Sequence, residues 1–223
     1  MRVRVPPRAF MGDNAMKLYK YPRTYHFPFS PGIGSDDYVF SSFNEYFRNK
    51  TVVITEKMDG ENSTVYPSYY HARSIDSEHR EYHSWLLNYI KTFQFKLKID
   101  ERVCGEYLYA QHSIPYFDLP SYFMVFSIWH GDLCLSWEST VKRCEQLGLV
   151  HVPVLYQGVY SRDAVDYAIE QVTAKGGEGV VMRVASGFSY YDFNTSIIKW
   201  VRANHVQTDE HWSQSVIIKN GLL

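Results

Sequence analysis

The succession of strand-like and helix-like runs is the feature that most limits the fold of this chain. Residues 51–55 form a β-branched run, and residues 62–66, after a Lys-Met-Asp-Gly turn, predict a second strand adjacent to the first. Further strands are predicted at 102–109, 122–129, 178–184 and 197–201. Helices are predicted at 82–93, at 137–147 before Gly148, and after a Ser161 cap up to Gly176-Gly177. Because strands outnumber helices and mostly follow one another, we expect an α+β fold with antiparallel sheets.

The composition excludes several classes of protein. A net charge of -1, from 23 Lys and Arg against 24 Asp and Glu, excludes a strongly basic coat protein, so any contact with nucleic acid must be a local patch. No long apolar window exists, and we therefore expect no membrane span and no membrane partner. The 19 Tyr, 13 Phe and 5 Trp favour strands and stacking surfaces over a helical bundle.

The length predicts one large domain behind a short leader. Residues 1–23 are expected to be a flexible tail, since their first part is rich in arginine and lacks the apolar stretch of a secretory signal. Residues 24–37 are dense in Pro, Gly, Ser and Asp and predict a loop at the start of a domain over 24–223. Three widely spaced cysteines are too few for a disulfide framework, which predicts a reducing, cytoplasmic setting.

A lysine at a predicted strand end is the first candidate for chemistry. The string EKMDGEN at residues 56–62 holds Lys57 between a strand and a turn, where its amine is fixed in position yet reachable. A K-x-D-G string arises by chance in about one chain in twenty of this length. Alone, the string is weak evidence and is better interpreted as a solvated lysine beside an Asp-Gly turn.

Five further sequence blocks change that interpretation. In chain order they are HARS at 71–74, CGEY at 104–107, MVFSI at 124–128, EGVVMR at 178–183 and IKWVR at 198–202. Together with the lysine string they resemble the ordered motifs of the covalent nucleotidyltransferase superfamily, the ATP-dependent polynucleotide ligases and capping enzymes. Asn62 points to the RNA ligases, whose nucleophile motif is E-K-x-x-G-x-N, because DNA ligases and capping guanylyltransferases usually place Arg there. The resemblance implies a nucleotidyltransferase domain with two antiparallel-rich β-sheets flanked by helices.

The resemblance implies three catalytic residues. Lys57 would attack ATP and form a lysyl-AMP, because a phosphoramidate keeps AMP activated for later displacement by a phosphate oxygen. Its amine has to lose a proton from a reference pKa near 10.4, and we expect partial burial and a divalent cation to lower that pKa. Arg73 and Lys199 would clamp phosphate oxygens, the first as a fork and the second as a mobile point charge.

The resemblance also implies a nucleotide site and a metal ligand. Glu106 would hold the ribose hydroxyls, and Phe126 would stack on the purine, a contact that contributes about 1 to 3 kcal/mol per base. Glu56 would read the adenine amino edge and Asn62 would brace the reacting phosphates. Glu178 would bind the catalytic Mg²⁺ or Mn²⁺.

Two positions depart from the family pattern. The last motif commonly has two lysines one residue apart, but Val201 occupies the second place and Arg202 follows it. Either Arg202 binds the nucleotide in place of that lysine or one charge is absent. Ser127 stands where many relatives carry Asp after the stacking aromatic.

Other polar clusters allow alternative interpretations. His79 and His83 have a spacing that can bind zinc, but without a third ligand surface histidines are the simpler interpretation. Residues 73–76, with His79 and Arg80 after them, are interpreted either as a contact to substrate phosphate or as a solvated loop. Residues 202–212 resemble a stretch that follows the last motif in some bacterial and phage RNA ligases, with no role assigned.

The function implied is that of an ATP-dependent RNA ligase, or its adenylylating domain, in RNA repair. AMP would pass from Lys57 to an RNA 5′-phosphate, and a 3′-hydroxyl would displace it. Few residues follow Lys199, so no appended OB domain is expected, and end-joining would use an accessory domain or protein in trans or need none. The alternatives are a nucleotidyltransferase of other specificity (capping-type GMP transfer or a DNA ligase), a non-catalytic RNA-binding relic and a protein-interaction domain.

Overall fold

Two β-sheets form the centre of the protein in the computed structural model, which describes residues 16–77, 80–203 and 217–223. The strands are β1 (Tyr25–His26), β2 (Thr51–Lys57), β3 (Glu61–Val65), β4 (Tyr70–Ala72), β5 (Glu101–Tyr107), β6 (Phe123–His130), β7 (Leu133–Cys134), β8 (Val150–His151), β9 (Val154–Val159), β10 (Gly179–Val184), β11 (Phe188–Ser189) and β12 (Ile197–Val201). The α-helices are α1 (Phe43–Phe47), α2 (Ser84–Ile90), α3 (Trp137–Leu147), α4 (Arg162–Ala174) and α5 (Phe193–Ser196). Short 3₁₀ helices lie at Glu81–His83, Gln94–Lys96 and Tyr190–Asp192.

The first sheet has five strands in the order β1-β12-β10-β2-β9. Its neighbours are antiparallel except for the parallel pair of β1 and β12. Helix α4 covers one face, where its Val165, Ala168 and Val172 join the same buried cluster as Ile54 of β2. The predicted Ser161 cap is confirmed, because its hydroxyl accepts a hydrogen bond from the Ala164 amide at 3.1 Å.

The second sheet has seven strands, six of them in the order β11-β7-β6-β5-β3-β4, and β8 pairs with β6 in parallel. Helices α2 and α3 share a buried cluster with it. Helix α3 spans the predicted residues, and Gly148 ends it in the left-handed conformation with φ 71°. The antiparallel-rich α+β fold with two sheets flanked by helices is therefore confirmed.

The two strands around the lysine turn lie in different sheets. Strand β2 belongs to the five-stranded sheet and β3 to the seven-stranded sheet, so the prediction that they are adjacent is wrong. Alternation of apolar residues identifies a strand but not its partner, which explains the error. As a consequence, the turn at residues 58–60 carries the chain from one sheet to the other.

Three other predictions are corrected in detail. The helix expected at 82–93 is shorter, since a 3₁₀ turn at Glu81–His83 leads into α2, which ends at Ile90. The loop expected at 24–37 contributes β1, which pairs with β12. Of the expected tail, residues 16–23 lie on the second sheet, where the Tyr19 amide donates to the Tyr66 hydroxyl at 2.8 Å, while residues 1–15 lie outside the described ranges.

The two buried clusters meet at the half-buried ring of Phe126, which packs against both. Cys104, Cys134 and Cys144 are buried free thiols. In the part of the chain that the structure describes, no helix has the length and apolar character needed to cross a bilayer.

Candidate active site

Lys57 ends β2 on the face of the five-stranded sheet that packs toward the second sheet. Val53, on the same face by strand alternation, belongs to the buried cluster around β5 and β6. The Lys57 Nζ atom lies 2.7 Å from Oε2 of Glu178, the residue before β10. The lysine side chain is 26% exposed and that of Glu178 only 5%. A ligand can therefore reach the amine, while the carboxylate that pairs with it is buried.

The turn after Lys57 needs glycine at position 60. A Cβ atom on Gly60 would lie 2.5 Å from the Tyr107 carbonyl oxygen, closer than atoms can approach. This contact brings the turn onto the end of β5, where the Gly60 amide donates to Glu106 Oε1 at 3.2 Å. The glycine of the motif therefore places Lys57 and Glu106, which come from different sheets, on either side of one turn.

Asp59 fastens the same turn to the loop that follows β5. Its Oδ2 atom accepts hydrogen bonds from the backbone amides of Ser113, at 2.7 Å, and Ile114, at 2.9 Å. Its own amide donates to the Tyr116 hydroxyl at 2.9 Å. The Asp59 carboxylate therefore holds the turn next to Lys57 against the loop at Ser113 and Ile114.

The C-terminal residues in turn hold this loop. The Tyr116 amide donates to Oδ1 of the buried Asn220 at 2.9 Å, and the Asn220 amide group donates to the Leu108 carbonyl at 2.8 Å. The Tyr122 hydroxyl donates to the Asn220 carbonyl at 2.7 Å. A chain of hydrogen bonds therefore runs from Asn220 through Tyr116 to the nucleophile turn.

The charges around Lys57 raise its pKa. Burial alone would lower it, but the Glu178 and Glu106 carboxylates outweigh burial, so the net shift is upward. The expected lowering combined burial with a divalent cation; burial acts in that direction here, and the two carboxylates outweigh it. Burial raises the pKa of Glu106 to about 8 and also raises that of Glu178, although the Lys57 charge opposes both shifts.

Lys199 lies on the same sheet face as Lys57. In the register of the sheet it is opposite Val181, which is opposite Thr55, two residues before Lys57. Its Nζ atom lies 3.7 Å from Asp37 Oδ1. Burial lowers the pKa of Lys199, and the charge of Lys57 adds to that effect. The structure thus brings the first and last motif lysines to one face.

The seven-stranded sheet supplies the other wall of the site. Asn62 of β3 is opposite Glu106 of β5, so their side chains share a face. The Asn62 Oδ1 atom is buried and accepts no hydrogen bond from the described residues. Phe126 falls where the register between β5 and β6 shifts, and its ring lies 5.2 Å from that of Tyr21 at 74°. This wall presents a carboxyl group, an unsatisfied amide oxygen and an aromatic ring.

The remaining basic residues take different positions. Arg73 is exposed just after β4, and its charge is among those that lower the pKa of Lys199. Arg202 follows β12; its backbone amide donates to the Glu178 carbonyl at 3.0 Å, and its buried Nε atom has no hydrogen-bond partner among the described residues. Val201, in the place of the second motif lysine, shares the face of Lys199 and is buried. That face therefore carries one lysine of the expected pair.

Glu56 does not join Lys57. Adjacent strand residues point to opposite faces, and Glu56 Oε2 lies 2.5 Å from the Lys175 amine just after α4. The Glu56 side chain is 6% exposed and that of Lys175 is half exposed. The carboxylate expected to read adenine thus lies on the α4 side of the sheet.

The histidine alternative rests partly outside the described residues, where His79 lies. His83 Nδ1 accepts from the Arg80 amide at 2.8 Å, so its Nε2 carries the proton and donates to Glu61 Oε1 at 2.8 Å. Ser127 accepts from the Trp129 ring nitrogen at 3.0 Å and lies in the buried interior. Within residues 16–77, 80–203 and 217–223, no group of three His, Cys, Asp or Glu could hold a metal.

The donor set nevertheless fits a magnesium-type ion. Such ions bind proteins through one or two carboxylates together with substrate phosphates and waters, so no cage of three side chains is required. Glu178 offers a buried carboxylate, and its charge is close enough to the Glu106 carboxyl group to raise the pKa of that group. Glu178 is therefore the residue that could hold the ion beside a bound nucleotide.

Sequence reasoning missed several residues of this site. Asp37 pairs with Lys199 and also lies 3.3 Å from Nε2 of the buried His26, yet Asp37 and His26 both stood in a stretch interpreted as a loop. Tyr116 and Asn220 had no pattern to mark them. Asp59 did have a signal, its place inside the lysine string, and it went unused.

Comparison with known proteins agrees with this geometry. The sequence model of a family described as RNA ligase matches residues 50–201, more than half of the chain. None of the curated proteins compared with the chain matches it.

Solved structures share the fold. An archaeal ATP-dependent RNA ligase is 19% identical with a TM-score of 0.61, covering 86% of this chain and 50% of its own. A putative ATP-dependent DNA ligase from Aquifex aeolicus is 21% identical with a TM-score of 0.58, covering 83% of this chain and 50% of its own. The chain thus spans about half the length of these proteins.

Proposed function

Because the chain belongs to the RNA ligase family, we propose that it is an ATP-dependent RNA ligase, or the adenylylating part of one. One observation carries the proposal. The Lys57 amine is held 2.7 Å from Glu178 where the chain crosses between the sheets, with Lys199 on the same face and Glu106 on the facing wall. A lysine in such a setting, between cations and carboxylates, is suited to nucleotidyl transfer.

ATP would bind between the two walls, its nucleoside on the seven-stranded sheet. Phe126 would stack on adenine, and the carboxyl group of Glu106 would bind the ribose hydroxyls. The buried Oδ1 of Asn62 would gain a hydrogen bond there, which removes the cost of leaving it unsatisfied. Arg202, whose buried Nε atom has no partner among the described residues and can donate a hydrogen bond, would bind the nucleotide in place of the second motif lysine.

The phosphates would lie against the five-stranded sheet. Lys199 and Arg73 would bind phosphate oxygens as point charge and fork, respectively. Glu178 would hold Mg²⁺ or Mn²⁺, which when bound supplies positive charge beside the triphosphate and disfavours the Lys57 ammonium.

Lys57 would then attack the α-phosphorus. A P–N bond forms, the P–O bond to pyrophosphate breaks, and the amine loses its proton. With the metal ion on Glu178, the proton would leave for solvent from the partly exposed Lys57 side chain, while the Glu178 carboxylate, 2.7 Å away, holds the amine in place. In two later steps AMP would pass to an RNA 5′-phosphate and a 3′-hydroxyl would displace it, in this chain alone or with an accessory domain or protein in trans.

Mass measurement after incubation with ATP and magnesium tests the proposal. The expected result is one added adenylate on the native protein and none on Lys57→Ala, while Lys91→Ala, which removes an exposed lysine just after α2, keeps the adduct. An acid-labile, hydroxylamine-sensitive adduct that persists in Lys57→Ala would contradict the role of Lys57.

Parallel incubations separate the alternatives. Labelled GTP tests capping-type transfer, and RNA against DNA ends tests a DNA ligase. Absence of label with either nucleotide would support an RNA-binding relic or a protein-interaction domain. The three free thiols support work in a reducing, cytoplasmic compartment, where RNA repair would take place.

A further inference from the structure

A cavity with a volume of about 490 Å³ lies beside the proposed nucleotide site. It is formed by the segment before β1, the residues after β4 and the 3₁₀ turn after β11. The lining residues are Lys20, Tyr21, Pro22, Arg23, Arg73, Ser74 and Tyr190. Its volume is in the range of sites that hold a small molecule or a single nucleotide.

The lining favours an anion with an aromatic part. Three of the lining side chains are cationic, Lys20, Arg23 and Arg73, and none of the lining residues is acidic. Arg23 also contacts Asp36 through Nη1, with 3.0 Å to Oδ2, and a guanidinium has further N–H donors for a phosphate. These cations come from two segments, the one before β1 and the one after β4, and can bind the oxygens of one phosphate from both sides.

Two tyrosine rings complete the cavity. The Tyr190 hydroxyl donates to the Lys20 carbonyl at 2.7 Å, which holds the basic segment against the 3₁₀ turn. Tyr21 packs edge-on against Phe126 and Phe193, with ring centres 5.2 Å apart in both pairs. Aromatic rings beside a basic wall are the usual means of binding single-stranded nucleic acid.

The cavity adjoins the site at two points. Tyr21 joins it to Phe126, the proposed adenine platform, and Arg73 is near enough to act electrostatically on Lys199. Lys20 and Arg23 lie before residue 50, outside the part of the chain that the family model matches. The match to the family model therefore gives no role to Lys20 or Arg23.

We propose that this cavity binds the 5′-phosphate end of a single RNA strand, the strand that receives AMP. The inference rests on the proposed ligase function and names the place of its second substrate. In that step an oxygen of the RNA 5′-phosphate attacks the α-phosphorus. A P–O–P bond forms, the P–N bond to Lys57 breaks, and the lysine nitrogen takes up a proton. The strand end must lie next to the adenylate, and the cavity is where a charged, aromatic-lined site adjoins it.

Fluorescence anisotropy with short single-stranded RNA, phosphorylated or hydroxylated at its 5′ end, tests the proposal without ATP. The full chain is compared with the double variant Lys20→Ala/Arg23→Ala. Lys91→Ala/Lys98→Ala is the matched control, because it removes two exposed lysines that do not line the cavity.

We expect the native protein and the control to prefer the 5′-phosphorylated RNA and the cavity variant to lose that preference. For two lost phosphate contacts, the slope of log K against log salt should fall by about 1.4. Equal loss in the control, an undiminished preference in the cavity variant, or no preference in the native protein would each overturn the proposal. The proposal would also be overturned if, in the cavity variant, the fold increase in the KM for ATP exceeded the fold loss in RNA affinity. The cavity would then hold the triphosphate.

Failure of the proposed function gives a different pattern. In that case no lysyl-AMP forms on the native protein with ATP, whatever the RNA result. The binding comparison still decides the cavity, since it requires no chemistry at Lys57. If lysyl-AMP forms and only the cavity variant transfers it poorly to 5′-phosphorylated RNA, both proposals are supported.

Discussion

The two walls of the candidate site differ in how their polar groups are satisfied. On the five-stranded sheet, Lys57 is paired with Glu178 and Lys199 with Asp37, so each charge has a partner. On the seven-stranded sheet, the Glu106 carboxyl group has its pKa raised to about 8, and Asn62 keeps a buried oxygen without a hydrogen bond from the described residues. One wall is electrostatically balanced, whereas the other contains a buried carboxyl group of raised pKa and one amide oxygen without a hydrogen bond from the described residues.

The difference indicates separate tasks. Paired charges keep a reactive lysine and a phosphate-binding lysine in position at a moderate cost in stability. Buried polar groups that lack partners destabilise the fold, and a ligand that satisfies them recovers that free energy as binding. We therefore expect changes on the first wall to affect chemistry most, and changes on the second to affect stability and nucleotide binding.

Removal of the Glu178 carboxylate should have the largest effect. Glu178→Ala is expected to slow lysyl-AMP formation by roughly 100-fold or more, the cost of losing a main electrostatic group in an active site. The Lys57 pKa should fall, because Glu178 is the largest cause that raises it. Rates over a magnesium titration measure the effect, with exposed Glu138→Ala as control. Unchanged rates would remove Glu178 from the site.

Glu106→Gln should change how stability depends on pH. The raised pKa means that folded Glu106 keeps its proton between its ordinary pKa and about pH 8, where the unfolded chain has lost it. Its contribution to stability is therefore present at low pH and is lost as pH rises through about 8. The variant should lack that decline, and a difference of about 1 kcal/mol would shift Tm by roughly 2–4 °C.

Thermal or urea unfolding at several values between pH 5 and 8 measures this effect. The native protein and Glu106→Gln should converge at the acid end and separate toward pH 8, with the variant the more stable. Parallel curves across the whole range would show that Glu106 does not titrate as its burial indicates.

Tyr116→Phe should have a smaller effect that separates positioning from stability. It removes the hydroxyl that binds the Asp59 amide, and a lost hydrogen bond costs about 1 kcal/mol, or roughly fivefold in rate if it acts on the turn. Tyr156→Phe is the matched control, since its hydroxyl donates to the Val159 carbonyl within β9 and does not contact the turn. Similar unfolding midpoints with slower lysyl-AMP formation in Tyr116→Phe alone would support the role; equal rates would contradict it.

Lys175→Ala should have the smallest effect. Lys175 pairs with Glu56 on the α4 side of the sheet and is half exposed, so its loss should cost at most about 1 kcal/mol. Lysyl-AMP formation should change less than twofold. A larger loss would show that Glu56 acts on the nucleotide from the far side of the sheet.

Local patterns identified six of the twelve described strands and three of the five described α-helices. Helix α3 and strand β12 have the predicted bounds, because capping residues and β-branched runs act within a few residues. The motif blocks placed Lys57, Lys199 and Glu178 in the same site. The shortening of the helix predicted at 82–93 and the small strand β1 depended on packing and escaped such patterns.

Tertiary structure decided what no local pattern contains. The sequence by itself determined six of the twelve described strands and the place of the lysine at the end of β2, since these follow from short strand-forming runs and turn chemistry. Only the folded chain decided that β2 and β3 enter different sheets, that Asp37 pairs with Lys199, and that Asn220 supports the nucleophile turn. Such contacts, and the raised pKa of Lys57 that depends on them, join residues far apart in the chain, and their strength is set by distance and burial.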